Sequence, residues 1–160
     1  VDEAGLPTAA GAEAEAADGT GDRPRARVVF LGRLSDAALR REYAEADVLV
    51  LPAVRDAKGD TEGLGVVLLE ALRFERPVIG SDIGGIPDIV RDGETGLLVR
   101  PGDPADLARA IARLIDDPEG ARELARRGRE HAAEAFGWDG VVARTTAVYR
   151  AALRARSGGR

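Results

Sequence analysis

A chain of 160 residues, 44% hydrophobic and 32% charged, is about one domain's worth and can bury roughly two thirds of its unfolded surface. These fractions exclude a chain that is disordered, fibrous or membrane-spanning throughout. The net charge is −5, and the absence of cysteine together with a single histidine, His131, excludes disulfide scaffolds and thiolate chemistry and leaves little for a zinc site or a Ser-His-Asp triad.

Residues 1–27 are rich in Ala, Gly, Asp and Glu with almost no large aliphatics, too little apolar surface to offset the entropy of ordering, and are expected to form a disordered or low-complexity tail. They hold six acids against three arginines, so only about −2 falls on the rest, and no basic footprint for nucleic acid is present. The longest uncharged stretch, Ala4–Ala12, is nine residues and broken by Gly and Pro, far below the roughly 18 a membrane span needs. The chain starts at Val1 without a basic n-region or an apolar h-region, which reads as a fragment with no secretory signal and gives a cytoplasmic expectation.

From Val28 the pattern changes to short β-branched runs alternating with longer amphipathic segments, the sign of βα units around a parallel sheet. Strands are expected at Val28–Leu31, Val48–Leu51, Pro77–Gly80 and Leu97–Val99, each apolar on both faces as buried parallel strands are. Helices are expected over Asp36–Ala46 behind Ser35 as N-cap, over Gly65–Phe74, and from Pro104 to about Ile115 behind Asp103. Two more follow, Pro118–Ala135 and Trp138–Arg154. The fold class is therefore α/β, a Rossmann-like parallel sheet of about four strands flanked by helices.

Ligands of such sheets sit at the carboxyl ends of the strands, which here lead into Gly32–Ser35, Pro52–Gly65 and Ser81–Pro87. In the second loop Gly63 and Gly65 precede a helix, where free first-turn N–H groups and the helix dipole attract an anion; a flexible lead-in explains the glycines as well. Glu70 is the only charge within Val66–Leu72 and lies eight residues after Glu62, so the two acids could line one elongated ligand. The plainer alternative is a solvent-facing Glu70 paired with Arg73. Gly84-Gly85 permit either a tight turn or close approach to a ligand. His131, among Arg and Glu, reads as solvated.

The residues that follow one another here form a recognisable series: FLG, Leu39, Tyr43 and ADVLVLP; EGLGVVLLEAL; RPVIGSDIGGIPDIVRDGETGLLV; PADLARAIARLIDDP; and FGW near the end. From about Val28 to Leu153 the series resembles the donor-binding half of GT-B glycosyltransferases, specifically glycosyltransferase family 4, with Glu62 and Glu70 filling its E-x7-E motif. The resemblance implies a donor-binding domain over residues 28–155, with 156–160 as a flexible end. It implies a retaining transfer of sugar from a nucleotide-sugar, with no obligatory metal and no other cofactor.

By the same resemblance Glu62 is the catalytic-site acid beside the transferred sugar, and Glu70 holds the ribose hydroxyls. Gly63, Leu64 and Gly65 present amides to the diphosphate, and Gly32, Arg33 and Leu34 edge the nucleobase. The loop around Gly59-Asp60 resembles family members that build bacterial exopolysaccharides and other surface glycans. Implied partners are the nucleotide-sugar donor, a glycan or lipid-linked acceptor, and an N-terminal acceptor domain or subunit. A peripheral position at the inner membrane face is compatible with these partners. The family's Gly-Arg and Lys-Gly segments, which neutralise the diphosphate, have no counterpart in residues 1–27, and Arg33 and Arg55 do not match them. Two other classes compete: a non-catalytic nucleotide-sugar-binding remnant or subunit, and a nucleotide-sugar epimerase of the same architecture, for which acid/base residues are not visible.

Overall fold

The computed structural model describes residues 12–15 and 27–157. Two compact units are distinguished, Val1–Glu42 and Tyr43–Arg160. In the first, β1 (Ala12–Glu15) pairs antiparallel with β2 (Arg27–Phe30), Ala12 opposite Phe30 and Glu15 opposite Arg27. The strand expected at Val28–Leu31 thus exists, but it joins a two-stranded ribbon and not the parallel sheet, and Val28 and Val29 stay exposed. Apolar composition marks a strand without naming its partner, and an antiparallel partner needs only a chain reversal where a parallel one needs a crossover. A strand at Ala12–Glu15 lies inside the segment expected to be a tail; the rest of residues 1–26 falls outside the described residues.

The first unit also holds the start of α1 (Asp36–Glu45), opened by Ser35, whose hydroxyl accepts from the Ala38 N–H at 3.3 Å. The helix ends in the second unit, whose sheet runs β3 (Leu49–Leu51), β4 (Val78–Ser81), β5 (Leu97–Val99) in that spatial order, all parallel. Leu49 lies opposite Val78, and Ile79 opposite Leu97. Among the described residues the parallel sheet has three strands, one fewer than expected, because β2 pairs elsewhere.

Central β4 is buried at all four positions, which is why its sequence is apolar on both faces. Val78 packs in one cluster with Leu68 and Leu72 of α2 (Val66–Arg73) and Ile86 and Ile89 of α3 (Ile86–Ile89). Its neighbour Ile79 packs in another, with Leu114 of α4 (Pro104–Asp116) and Leu124 of α5 (Pro118–Phe136).

The helix starts follow local chemistry. Asp103 and Asp117 each accept a 2.9 Å bond from a first-turn N–H, of Asp106 and Gly120, and a proline follows each aspartate at the first helical position. His131 departs from expectation: on α5 its ring meets Phe136 edge-on at 6.1 Å, and its Nε2 is buried without a hydrogen-bond partner among the described residues. It is half-buried and packs on Phe136, so it is not simply solvated. The last helix, α6 (Trp138–Ser157), leaves Trp138, Val142, Val148, Tyr149 and Leu153 exposed. No helix among the described residues is long and apolar enough to cross a membrane.

Candidate functional site

The site is built where the loops after β3 and β4 meet. Residues 52–65 leave β3 and return as the lead-in to α2, and their outer part is tied by Asp56, whose Oδ1 accepts the N–H groups of Lys58 and Asp60 at 2.8 Å. Arg55 donates to the Gly59 carbonyl at 3.1 Å, so its side chain closes this loop. Toward α2 the chain turns sharply at Gly65, with φ 79 and ψ 50. A Cβ there would have L-residue strain and would also press on Leu51 and Leu68 at 3.0 and 3.1 Å, so only glycine fits.

The loop after β4 forms the other wall. Gly84 has φ 59, and a Cβ on it would overlap the Glu62 carbonyl oxygen; one on Gly85 would overlap the carbonyl oxygen of Gly63. The close approach that this glycine pair permits is therefore backbone to backbone. Gly84-Gly85 seat the Glu62–Leu64 segment, and α3 starts immediately behind them.

Glu62 lies outside α2, three residues before its cap, so the two acids of the motif are not carried on one helix. Its Oε1 accepts from the N–H of Gly65, the residue immediately before α2, at 3.1 Å. The Gly65 amide is thus already occupied. The N–H groups of Val66 and Val67, in the first turn and on the exposed side, lie beyond the reach of intrahelical acceptors. Gly63 is exposed, while Leu64 is half-buried against the core.

Glu70 is half-buried on α2 and accepts a 2.7 Å bond at Oε2 from the Tyr43 hydroxyl. Among the described residues no ion pair links it to Arg73, so the plainer solvent-stripe alternative does not describe it. Tyr43 is buried, and its ring stacks on Phe74 with centroids 5.6 Å apart and planes 19° apart. Burial, reinforced by the hydrogen bond to Glu70 and that group's charge, pushes the phenol up to about 12, so the hydroxyl keeps its proton and remains a donor. Sequence spacing did not reveal this partnership, since 27 residues separate the two side chains. The available signal was a tyrosine on the apolar stripe of one helix and a lone acid on the apolar stripe of another.

Gly32, Arg33 and Leu34 belong to the first unit, where Gly32 has φ 62. Glu62, Gly63, Leu64, Gly65 and Glu70 share the second unit, with the Glu62–Gly65 stretch contiguous at the start of α2. At the carboxyl ends of β3, β4 and β5 a cleft is lined by Pro52, Val54, Ser81, Val99 and Leu107. Neither acid of the motif lines that cleft, nor a separate cavity at the α4–α5 junction lined by Arg113, Asp117, Glu123 and Arg127.

The model of a family described as glycosyl transferases group 1 matches residues 23–131. Among curated relatives, a D-inositol 3-phosphate glycosyltransferase of Streptomyces bingchenggensis is 43% identical over 112 residues, 70% of this chain and 23% of that protein. Among solved structures, sucrose-phosphate synthase from Thermosynechococcus elongatus superposes with a TM-score of 0.69 at 36% identity, covering 81% of this chain and 31% of that one. HepE of Anabaena, in complex with UDP and glucose, gives a TM-score of 0.60 at 25% identity over 74% of this chain and 31% of its own. The chain spans between about a quarter and a third of the length of these relatives.

Proposed function

The chain belongs to the group 1 glycosyl transferases, and from that premise we propose that it is the donor-binding part of a retaining glycosyltransferase that moves a sugar from a nucleotide-sugar to an acceptor. The observation that carries the reading is the pairing of two acids with an open helix start. Glu62 stands just ahead of α2 with its carboxylate on the Gly65 N–H, Glu70 lies in the second turn of α2, and the first-turn amides fall between them in the chain.

Each part has a distinct chemical task. A carboxylate accepts two hydroxyl donors at once, which suits Glu70 to the vicinal hydroxyls of a ribose. The amides of Gly63, Leu64 and Val66, at the positive end of α2, are placed to receive a diphosphate, and they stabilise the charge that grows on it as the sugar departs. The Gly65 amide joins them once Glu62 turns from the cap to the sugar hydroxyls. The α2 helix end carries part of the leaving-group charge, the family's basic side chains that carry the rest have no counterpart in this chain, and no metal or organic cofactor is assigned.

Transfer also needs an acceptor held against the anomeric carbon, a task that falls to an N-terminal acceptor domain or subunit. The acceptor is a glycan or lipid-linked sugar of the kind used in exopolysaccharide assembly, and the site of action is the cytoplasm or the inner membrane face.

The test is calorimetric titration of the chain with UDP, GDP and ADP and with inorganic pyrophosphate. UDP is the first probe because the similar HepE holds it. Glu70→Ala should weaken the best nucleotide about 10- to 100-fold, the worth of hydrogen bonds to a charged group, and leave pyrophosphate within about twofold. Equal losses for the two ligands would remove Glu70 from the ribose.

A further inference from the structure

We propose that Tyr43 is a positioning residue for Glu70, holding its carboxylate in the orientation that receives a ribose diol; this rests on the ribose reading of Glu70. A glutamate side chain turns about three bonds, and freezing it on ligand binding costs affinity. On α2 that freedom is already restricted. The Tyr43 hydroxyl, from the last turn of α1, donates to Oε2 at 2.7 Å, and no described residue donates to Oε1. One oxygen is thus fixed by the protein and the other is left open to a ligand.

The hydroxyl can serve as a reference point because the ring that carries it is itself fixed. Tyr43 is 8% exposed, belongs to the core cluster with Leu68, Leu72 and Ile86, and stacks on Phe74, the residue that caps the same helix on which Glu70 sits. Packing sets the ring, the ring sets the hydroxyl, and the hydroxyl sets the carboxylate. The phenol, pushed up to about 12, stays a donor at every pH at which the protein would work.

A hydroxyl that merely satisfied its own burial would also find a partner in Glu70, but its loss would disturb all ligands alike. Positioning makes a narrower demand. Removing the hydroxyl should affect only ligands that offer ribose hydroxyls to Glu70, and only while Glu70 is present.

The experiment uses the 160-residue chain unmodified and as Tyr43→Phe, Glu70→Gln and the double variant, with thermal melts as the check on folding. Each is titrated with UDP, GDP and ADP and with the 2′,3′-dideoxy analogue of whichever binds tightest. Tyr43→Phe should weaken the ribonucleotide about three- to tenfold and leave the dideoxy analogue within about twofold. In the Glu70→Gln background the same change should add nothing, so a double-mutant cycle reports the coupling even if the single Tyr43→Phe variant melts lower. Equal weakening of both ligands, no weakening of the ribonucleotide, or an undiminished effect in the Glu70→Gln background overturns the positioning role. If Glu70→Gln fails to discriminate ribose from dideoxyribose, or the unmodified chain binds none of the three nucleotides, the reading of Glu70 falls and the role of Tyr43 with it.

Discussion

Gly84→Ala puts the backbone template of the site under direct strain, by two effects that other glycines of this chain carry separately. At Gly84 the backbone has φ 59, and a Cβ would overlap the Glu62 carbonyl oxygen while lying 3.2 Å from its carbon and 3.4 Å from the Thr61 methyl. Left-handed backbone costs an L-residue roughly 1–2 kcal/mol, partly offset by about 0.4–1 kcal/mol from the lower entropy of the unfolded alanine chain. Forcing a methyl into a closed contact costs about 1–3 kcal/mol more. Gly93, at φ 71 with open space around its Cβ position, has the first cost alone; Gly85, at φ −90 against the Gly63 carbonyl, has the second alone.

Gly84→Ala should therefore lose about 2–4 kcal/mol of unfolding free energy and Gly93→Ala about 1 kcal/mol or less. At about 2–4 °C of Tm per kcal/mol for a chain of this size, the difference is measurable by differential scanning calorimetry. Because the overlap is relieved by moving the Glu62–Leu64 segment, nucleotide-sugar affinity should fall with Gly84→Ala and Gly85→Ala but not with Gly93→Ala. Equal Tm and equal affinity for the Gly84→Ala and Gly93→Ala chains would refute the idea that these loops are seated on each other.

Glu62→Gln should leave nucleoside-diphosphate binding nearly intact and weaken the whole nucleotide-sugar, since the acid is assigned to the sugar alone; a matching loss for the plain nucleotide in calorimetric titration would displace it. Glu123 accepts hydrogen bonds from Arg126 and Arg127, which draw its carboxyl from the ordinary 4.5 down to about 2. The folded value lies below the unfolded one, so this stabilisation is present above about pH 4.5 and lost as pH falls toward about 2. Glu123→Gln should flatten the fall of Tm over that window; the pair is exposed, so the effect is small and shrinks with salt, and an unchanged acid profile would discount it. The 160 residues alone should give no measurable glycosyl transfer, because an acceptor held at the anomeric carbon and cations opposite the diphosphate are each worth several kcal/mol of barrier; turnover by the isolated chain would contradict the half-site reading.

What was legible in the sequence follows from how local each signal is. Leu97–Val99 is the β5 strand as expected, and Asp103-Pro104 mark the start of α4, because cap chemistry is settled within three residues. The fate of Val28–Leu31 was not legible: its apolar run marks a strand, while the choice between a ribbon with Ala12–Glu15 and the parallel sheet is made by distant chain. The two acids of the E-x7-E spacing were found, but not what holds them. Glu62 reaches forward to the Gly65 N–H at the helix start, and Gly84-Gly85 seat its loop from across the sheet end. Tyr43, 27 residues from Glu70, carried only the signal of a helix stripe. His131 looked solvated beside its charged neighbours because α5 turns those neighbours outward and the ring toward Phe136.

The most direct measurement is a crystal structure of this chain with the tightest-binding nucleoside diphosphate. The predicted result has both ribose hydroxyls within hydrogen-bond distance of Glu70, with Oε2 still receiving the Tyr43 hydroxyl, and the diphosphate against the amides at the start of α2. A nucleotide seated instead in the cavity at the α4–α5 junction, between Arg113 and Arg127 with Glu70 untouched, would contradict it.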